Sequence, residues 1–215
     1  MAGRKWNESH EFWGMTSYQI QQVWKERGVQ AAWLGTVLHN NIEAFLNNSK
    51  LSKGYTHHML LEAYKEEHIL NTSLFSKEWT YFLKYVEDTP DKIPFRTEWR
   101  IFDLDLKLAG SIDMVYKNEE DGTLSIYDWK RSKEIKRDNK YQKSKTLQLP
   151  DCNFYHYSLQ LNTYKYILEN TYGYTIRDLF LVILYPDNES YHLIECADLQ
   201  DVVADMMAKR LKKTL

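Results

Sequence analysis

Apolar residues recur at helical spacing through the first 90 positions and at strand spacing after them. Leu34, Leu38, Ile42 and Phe45, for example, are three or four residues apart and predict one apolar face of a helix. Gly28 interrupts the pattern before them and is expected to end the preceding helix. The predicted helices of this half cover residues 16–27, 31–47, 56–71 and 76–87.

After the proline-containing segment 89–94, the pattern changes to short runs rich in β-branched and aromatic residues. These runs predict strands over residues 95–102, 106–116, 123–129, 179–185 and 191–197. Helices are predicted over residues 154–171, ended by Gly173, and over residues 199–212. The order predicts an α/β fold in which helices flank a mixed central sheet, preceded by a helical N-terminal portion.

The composition is that of an ordinary globular protein. A chain of 215 residues suits one domain, with a mainly helical wall over residues 1–90 and an α/β core over residues 91–215. The formal net charge of −2 favours no class of partner. Cys152 and Cys196 are too few for a disulfide framework or a four-cysteine cluster. No apolar run reaches membrane-spanning length, so we expect an intracellular protein, in the cytoplasm or nucleus, without a membrane partner.

The candidate chemistry lies in the hairpin predicted around the turn at residues 118–122. Asp113 is on its first strand, and Asp128 and Lys130 are on its second. Residues two apart in a strand point the same way, so Asp128 and Lys130 share a face, which Asp113 can join if the strands pair. Two carboxylates with an ammonium group suit a hard-metal site with a proton-transfer group nearby. The alternative is an exposed ion pair at a strand end.

Five short motifs occur in a recognisable order: Gly35-Thr-Val-Leu-His39, Glu98, Gly110-Ser-Ile-Asp113, Asp128-Trp-Lys130 and Gln160-Leu-Asn-Thr-Tyr164. This order resembles the PD-(D/E)XK nuclease superfamily, and more narrowly its RecB-like exonuclease branch, over about residues 16–185. The resemblance implies a restriction-endonuclease-like core that hydrolyses DNA phosphodiester bonds, leaving a 5′-phosphate and a 3′-hydroxyl.

The chain also departs from that pattern. Ile112 stands where the superfamily's name has proline, and Asp128 stands where glutamate is frequent. The four cysteines that hold an iron–sulfur cluster in some relatives are missing, and the chain has no phosphate-binding loop of the Gly-x-x-x-x-Gly-Lys-Ser/Thr type. We therefore expect neither an iron–sulfur cluster nor a nucleotide cofactor.

The resemblance, together with the chemistry of phosphodiester hydrolysis, assigns roles to the motif residues. The groups expected to hold one or two Mg²⁺ or Mn²⁺ ions are His39, Glu98, Asp113, Asp128 and the backbone carbonyl of Trp129. Lys130 is expected to orient or deprotonate the attacking water, and Glu98, Asp113 and Asp128 complete the catalytic set. Glu43, one turn after His39, is expected to orient that imidazole. Gln160 and Tyr164 are expected to brace the site or to touch the substrate.

Each of these assignments has a simpler alternative. His39 can be a partly buried histidine with ordinary hydrogen bonds, and Glu98 can be an ion-pair partner at a sheet edge. Tyr164 can be core on the inner face of its helix, and Gln160 can be plain surface.

A basic segment follows the second hairpin strand directly. Its cations are Arg131, Lys133, Lys136, Arg137, Lys140, Lys143 and Lys145. Cations near the site can track a phosphate backbone. The aromatic or imidazole rings of Tyr141, Tyr155 and His156 can stack on unpaired bases. The alternative is a solvated loop. We expect the segment to bind DNA that is single-stranded or has single-stranded ends.

The resulting hypothesis is a metal-dependent exonuclease that favours single-stranded ends and acts in replication, recombination or repair, where a recombination or replication protein is a possible partner. The alternatives are a non-cleaving nucleic-acid-binding protein, an adaptor subunit of a larger recombination complex, and an endonuclease of the same fold.

Overall fold

The computed structural model describes residues 7–47, 51, 54–67, 76–140, 143–144 and 147–214. Its helices are α1 (Ser17–Leu46), α2 (His57–Glu67), α3 (Lys77–Asp88), α4 (Asn153–Asn170) and α5 (Gln200–Thr214). Its strands are β1 (Ile93–Asp103), β2 (Leu108–Lys117), β3 (Leu124–Lys130), β4 (Ile176–Ile183) and β5 (His192–Glu195).

The strands form one sheet in the order β1-β2-β3-β4-β5. The pairs β1–β2, β2–β3 and β4–β5 are antiparallel, and β3–β4 is parallel. A parallel pair needs a crossover connection, which α4 supplies between β3 and β4. The predicted α/β fold with a mixed sheet and flanking helices is confirmed.

Strand β3 is covered on both faces, and its residues alternate between them. Trp129 packs edge-on against Phe82 and Tyr85 of α3. Ile126, on the opposite face, joins a buried cluster with Leu161 of α4. Asp128 and Lys130 are even-numbered like Ile126, so their side chains leave the strand on the α4 face.

The interpretation of Gly28 as a helix end was wrong. Helix α1 runs without interruption from Ser17 to Leu46 and contains Gly28. A glycine inside a helix costs about 1 kcal/mol relative to alanine and does not break the helix by itself. Gly28 does not have the positive φ of a glycine that follows a helix end, in contrast to Gly173 after α4. The helices predicted over residues 16–27 and 31–47 are therefore one.

The chain forms two compact units, Met1–Leu38 and His39–Leu215. In the first unit, Phe12 is buried and packs edge-on against Trp24, and Arg27 pairs with Glu11 at 2.9 Å. The second unit holds the sheet together with α2, α3, α4 and α5, so the segment at residues 89–94 does not separate two units. The single nuclease domain stays a prediction. In the part of the chain that the structure describes, no helix combines the length and apolarity needed to span a membrane.

Candidate active site

Three side chains from three elements converge on one point in the second unit. His39 comes from α1, Glu98 from β1 and Asp113 from β2. His39 Nδ1 lies 3.8 Å from Glu98 Oε1 and 3.7 Å from Asp113 Oδ2. One ligand atom of each residue lies within 4.8 Å of the others, and all three residues are half-buried. These are separations at which one cation can contact all three atoms.

The hydrogen bonding of His39 defines what its ring offers to this point. Its Nε2 lies 3.0 Å from the carbonyl oxygen of Trp129, and a carbonyl only accepts, so Nε2 carries the proton. In a neutral imidazole, Nδ1 then presents a lone pair to the carboxylates of Glu98 and Asp113. Three electron-rich atoms facing one another need a cation or an added proton between them. One imidazole nitrogen with carboxylate oxygens is a donor set that suits Mn²⁺ and accepts Mg²⁺.

The ends of β2 and β3 place the second carboxylate and the ammonium group beside this cluster. Met114 pairs with Tyr127 across the hairpin. Asp113 precedes Met114 and Asp128 follows Tyr127, so both aspartates lie next to this pair at the same end of the hairpin. The backbone N–H of Trp129 donates a 2.9 Å hydrogen bond to Asp113 Oδ2. Lys130 Nζ contacts Asp128 Oδ2 as an ion pair without the directionality of a hydrogen bond.

The electrostatics of the site show a deficit of positive charge. Burial, reinforced by the charge of Asp128, raises the pKa of Asp113 to about 8. Burial also raises the pKa of Asp128 above its ordinary value, against the opposing influence of Lys130. Burial lowers the pKa of Lys130, but the charges of Asp128 and Asp113 raise it more, so the net shift is upward. A bound divalent cation would relieve the repulsion among these carboxylates. The electrostatics of the residues therefore fit a metal, as their donor atoms do.

Glu98 reaches the cluster through an unusual backbone conformation. Its neighbours Thr97 and Trp99 pair with Met114 and Ile112, but Glu98 itself has a φ of 42°. Positive φ is uncommon for a residue other than glycine and costs of order 1–3 kcal/mol. Ser111 Oγ donates a 3.3 Å hydrogen bond to Glu98 Oε2. The local strain and this hydrogen bond aim the carboxylate, and sequence reasoning did not identify Ser111.

Gln160 and Tyr164 contact each other one turn apart on α4. Gln160 Nε2 donates a 2.9 Å hydrogen bond to the Tyr164 hydroxyl. The Tyr164 ring lies so close to Gly110 of β2 that a Cβ added there would stand 2.4 Å from Tyr164 Cε1. Gly110 is therefore required for the helix to approach the strand, three residues before Asp113. This placement agrees with a bracing role for Tyr164.

The role expected of Glu43 in orienting His39 stays a prediction. No hydrogen bond or ion pair joins Glu43 to His39 within the described ranges. The imidazole is instead oriented by the Trp129 carbonyl, 90 residues away in the chain.

Arg131, which is also expected to bind nucleic acid, has partners of its own within the chain. Arg131 Nε donates a 2.8 Å hydrogen bond to Glu78 Oε1 of α3, and its guanidinium stacks over the Tyr185 ring. The side chains of Arg131 and Glu78 are only 16% and 10% exposed. A buried cation that is neutralised by a carboxylate contributes to stability, and nucleic-acid binding by Arg131 stays a prediction.

The other described cations of the basic segment are exposed to solvent. The exposed residues among those described are Lys133, Lys136, Arg137, Lys140 and Lys143. Lys136 has only a loose ion pair with Glu134, at 3.7 Å, and the Arg137 guanidinium lies over the Phe154 ring. Tyr141 and Lys145, also predicted to bind nucleic acid, lie outside the described residues.

The two rings predicted at the start of α4 have partners of their own. The Tyr155 ring packs edge-on against Phe154. His156 Nε2 lies 2.8 Å from Asp151 Oδ1, with the side chain largely exposed. Base stacking by either ring stays a prediction.

The backbone of the basic segment is held by Asn153, which sequence reasoning missed. The Asn153 side chain accepts a 2.8 Å hydrogen bond from the Lys136 N–H and donates one of 2.8 Å to the Glu134 carbonyl. The N–H of Phe154 also donates to the Lys136 carbonyl. The part of the segment between Glu134 and Lys136 is thus fixed to the first turn of α4.

Comparison with known families agrees with this geometry. The model of a family described as the PD-(D/E)XK nuclease superfamily matches residues 15–212, nearly the whole chain. The resemblance to that superfamily is therefore confirmed, and the RecB-like branch stays a prediction. A comparison with curated proteins finds no match.

Proposed function

The chain belongs to the PD-(D/E)XK nuclease superfamily and is a divalent-metal-dependent nuclease, and from that premise we propose that it is a RecB-like exonuclease that removes nucleotides from single-stranded DNA ends. The observation that carries the proposal is the convergence of His39 Nδ1, Glu98 Oε1 and Asp113 Oδ2, whose lone pairs face one point beside the Asp128–Lys130 pair.

The proposed ligands are the three converging side chains, with Asp128 and the Trp129 carbonyl beside them. The carbonyl already accepts from His39, but it has a second lone pair to offer. A bound Mg²⁺ or Mn²⁺ supplies Lewis acidity toward the phosphate and lowers the pKa of a bound water. The Asp128 carboxylate is buried, and its charge acts on Asp113, whose pKa it helps to raise.

Lys130 is proposed to act as a charged donor. Its pKa lies above the ordinary value, because the influence of Asp128 and Asp113 outweighs that of burial. The ammonium is therefore protonated at neutral pH and can donate to a phosphate oxygen or hold the attacking water in place. This favours orientation and charge stabilisation over proton abstraction as the role of Lys130.

The exposed cations of residues 133–143 are proposed to track the DNA backbone. They follow Lys130 directly along the chain, and the Asn153 hydrogen bonds fix the backbone between Glu134 and Lys136. Preorganised cations bind phosphates with less loss of conformational entropy than a mobile loop does. A role in replication, recombination or repair, with a recombination or replication protein as a possible partner, is part of the proposal.

The test is digestion of DNA by the purified chain. Single- and double-stranded DNA, labelled at the 5′ or the 3′ end, is incubated with Mg²⁺ or Mn²⁺, with the variant Lys130→Ala in parallel. We expect short products from labelled single-stranded ends, loss of cleavage in EDTA, and at least about 10²-fold slower cleavage by Lys130→Ala.

The matched control is Lys209→Ala, which removes the lysine of another Asp–Lys ion pair, the exposed pair of Lys209 with Asp205 on α5. We expect this variant to cleave like the wild type. Cleavage of circular single strands would establish an endonuclease instead. DNA binding without cleavage in either metal would overturn the nuclease proposal.

A further inference from the structure

One face of α4 meets the active site at successive levels. Asn153, Tyr157, Gln160 and Tyr164 are spaced by four, three and four residues, which places them on one side of the helix. Asn153 holds the basic segment, and Tyr164 packs on Gly110 of β2. Tyr157 occupies the level between these two contacts.

The ammonium group of Lys130 lies over the Tyr157 ring. Lys130 Nζ lies 4.8 Å from the ring centroid, within the distance at which a cation is attracted to an aromatic face. Only 19% of the Lys130 side chain is exposed, so water screens this attraction weakly. Tyr157 also packs against the buried cluster beneath the sheet, which restricts the motion of its ring.

The ring differs in kind from the other partner of Lys130, the carboxylate of Asp128. In the proposed function, the charge of Asp128 is shared with a metal ion. An aromatic face attracts an ammonium through its quadrupole and has no charge to share. Because lysine has a flexible four-carbon stem, its ammonium needs such a partner to stay in one place.

We infer that Tyr157 is a positioning residue that holds the Lys130 ammonium toward the scissile phosphate through its ring face. This inference rests on the proposed function. The aromatic face is the active part, because the Tyr157 hydroxyl has no hydrogen-bond partner among the described residues. Phenylalanine should therefore replace Tyr157, and an aliphatic side chain should not.

The test compares Tyr157→Leu and Tyr157→Phe with the control Tyr166→Leu in single-turnover cleavage at saturating enzyme. Tyr166 is a half-buried tyrosine on the same helix that packs on a separate cluster around Leu106, Val203 and Met207. We expect Tyr157→Leu to slow the chemical step by about tenfold or more, with DNA and Mn²⁺ affinities unchanged. Tyr157→Phe and Tyr166→Leu should keep the wild-type rate constant.

A second readout needs neither metal nor activity. In protein labelled with ¹³Cε-lysine, the signal of Lys130 is assigned by its disappearance in Lys130→Arg. Protons above an aromatic face resonate upfield, so we expect an upfield ε-methylene signal that Tyr157→Phe retains and Tyr157→Leu loses. This measurement remains decisive if Tyr157→Leu folds poorly, because the wild type and Tyr157→Phe suffice to locate the ammonium over a ring.

Two outcomes would overturn the inference while the proposed function stands. One is a single-turnover rate constant of Tyr157→Leu that equals that of the wild type. The other is a loss of rate in Tyr157→Phe equal to that in Tyr157→Leu, which would assign the effect to the hydroxyl. Absence of cleavage by the wild type would instead refute the proposed function, and the upfield lysine signal would still report on the ring contact.

Discussion

The two ends of the β2–β3 hairpin both carry clusters of polar and charged residues, but only one of them is satisfied. At the turn end, Asp178 accepts hydrogen bonds from Ser125 Oγ at 2.9 Å and from Arg177 Nε at 3.0 Å. Asp121 accepts from the Thr123 N–H and hydroxyl and pairs with Arg177. Both of these carboxylates face donors.

At the other end, carboxylates face one another and an imidazole lone pair. The pKa values report the difference. The hydrogen bonds of Thr123, with the charge of Arg177, hold the pKa of Asp121 below its ordinary value, whereas burial beside Asp128 raises the pKa of Asp113 to about 8. A cluster of charges is therefore no sign of function by itself. A deficit of donors and cations around buried carboxylates distinguishes the active end from the structural end.

The most direct test of this difference is to neutralise one carboxylate at each end of the hairpin. Asp113→Asn removes a ligand and should reduce cleavage by at least about 10²-fold, yet it should raise the melting temperature of the metal-free protein, because folding at neutral pH no longer requires a proton to be taken up at this buried position. Asp121→Asn should leave cleavage unchanged and lower the melting temperature slightly, because it weakens a satisfied network. Cleavage rates and thermal melts of both variants check the two opposite signs.

The pH dependence of stability tests the same contrast. The pKa of Asp113 is about 8 in the folded state and near 3.8 when unfolded, so the folded state binds the extra proton between these values. Stability from this group is complete below pH 4 and is lost as pH rises toward 8. The melting temperature of Asp113→Asn should therefore exceed that of the wild type by an amount that grows between pH 5 and 8, measured in EDTA.

Mn²⁺ provides the control for that pH series. The ion binds the deprotonated carboxylate, so its stabilising effect on the wild type should grow over the same pH interval. Asp113→Asn should lose most of this stabilisation. A difference between wild type and variant that does not change with pH would show that Asp113 is already ionised in the folded protein.

A satisfied charge at the active end sharpens the comparison further. Arg131 follows Lys130 directly, but it forms a buried ion pair with Glu78. Its charge is therefore neutralised, like the charges of the carboxylates at the turn end. Removing one partner of a buried pair leaves the other charge uncompensated, which costs about 3 kcal/mol. Arg131→Ala should therefore lower the free energy of unfolding by about that amount in urea. The folded fraction should retain metal affinity, and a variant as stable as the wild type would contradict the structural role.

The contrast between Arg131 and Lys133 also shows what a sequence can and cannot predict. The alternation of Asp128 and Lys130, and the order of the motifs, depend on local spacing, so the common face and the family were predictable. The partner of Arg131 is Glu78, 53 residues earlier in the chain, and no local pattern connects them. The same reason explains why the sequence did not reveal the Trp129 carbonyl as the hydrogen-bond partner of His39.

Helix length was mispredicted for a different reason. Gly28 was interpreted by its intrinsic preference, which is a weak bias of about 1 kcal/mol, and the surrounding helix overrides it. Asn153 and Ser111 escaped notice because small polar residues are common at helix starts and in strands. Only the contacts of Asn153 with Glu134 and Lys136, and of Ser111 with Glu98, identify them.

The smallest expected effect concerns the exposed cations of the basic segment. Lys133→Ala combined with Lys136→Ala should weaken binding of a non-cleaved single strand in Ca²⁺ or EDTA. The slope of log affinity against log salt should fall by roughly 0.7 for each phosphate that the variant no longer neutralises.

Asn153→Ala removes no cation, so it should weaken binding by only about threefold and leave that slope unchanged. Fluorescence anisotropy between about 50 and 300 mM salt, a roughly sixfold range, separates the two. A change of slope in Asn153→Ala would mean that the asparagine contacts the DNA itself and does not merely hold the segment that does.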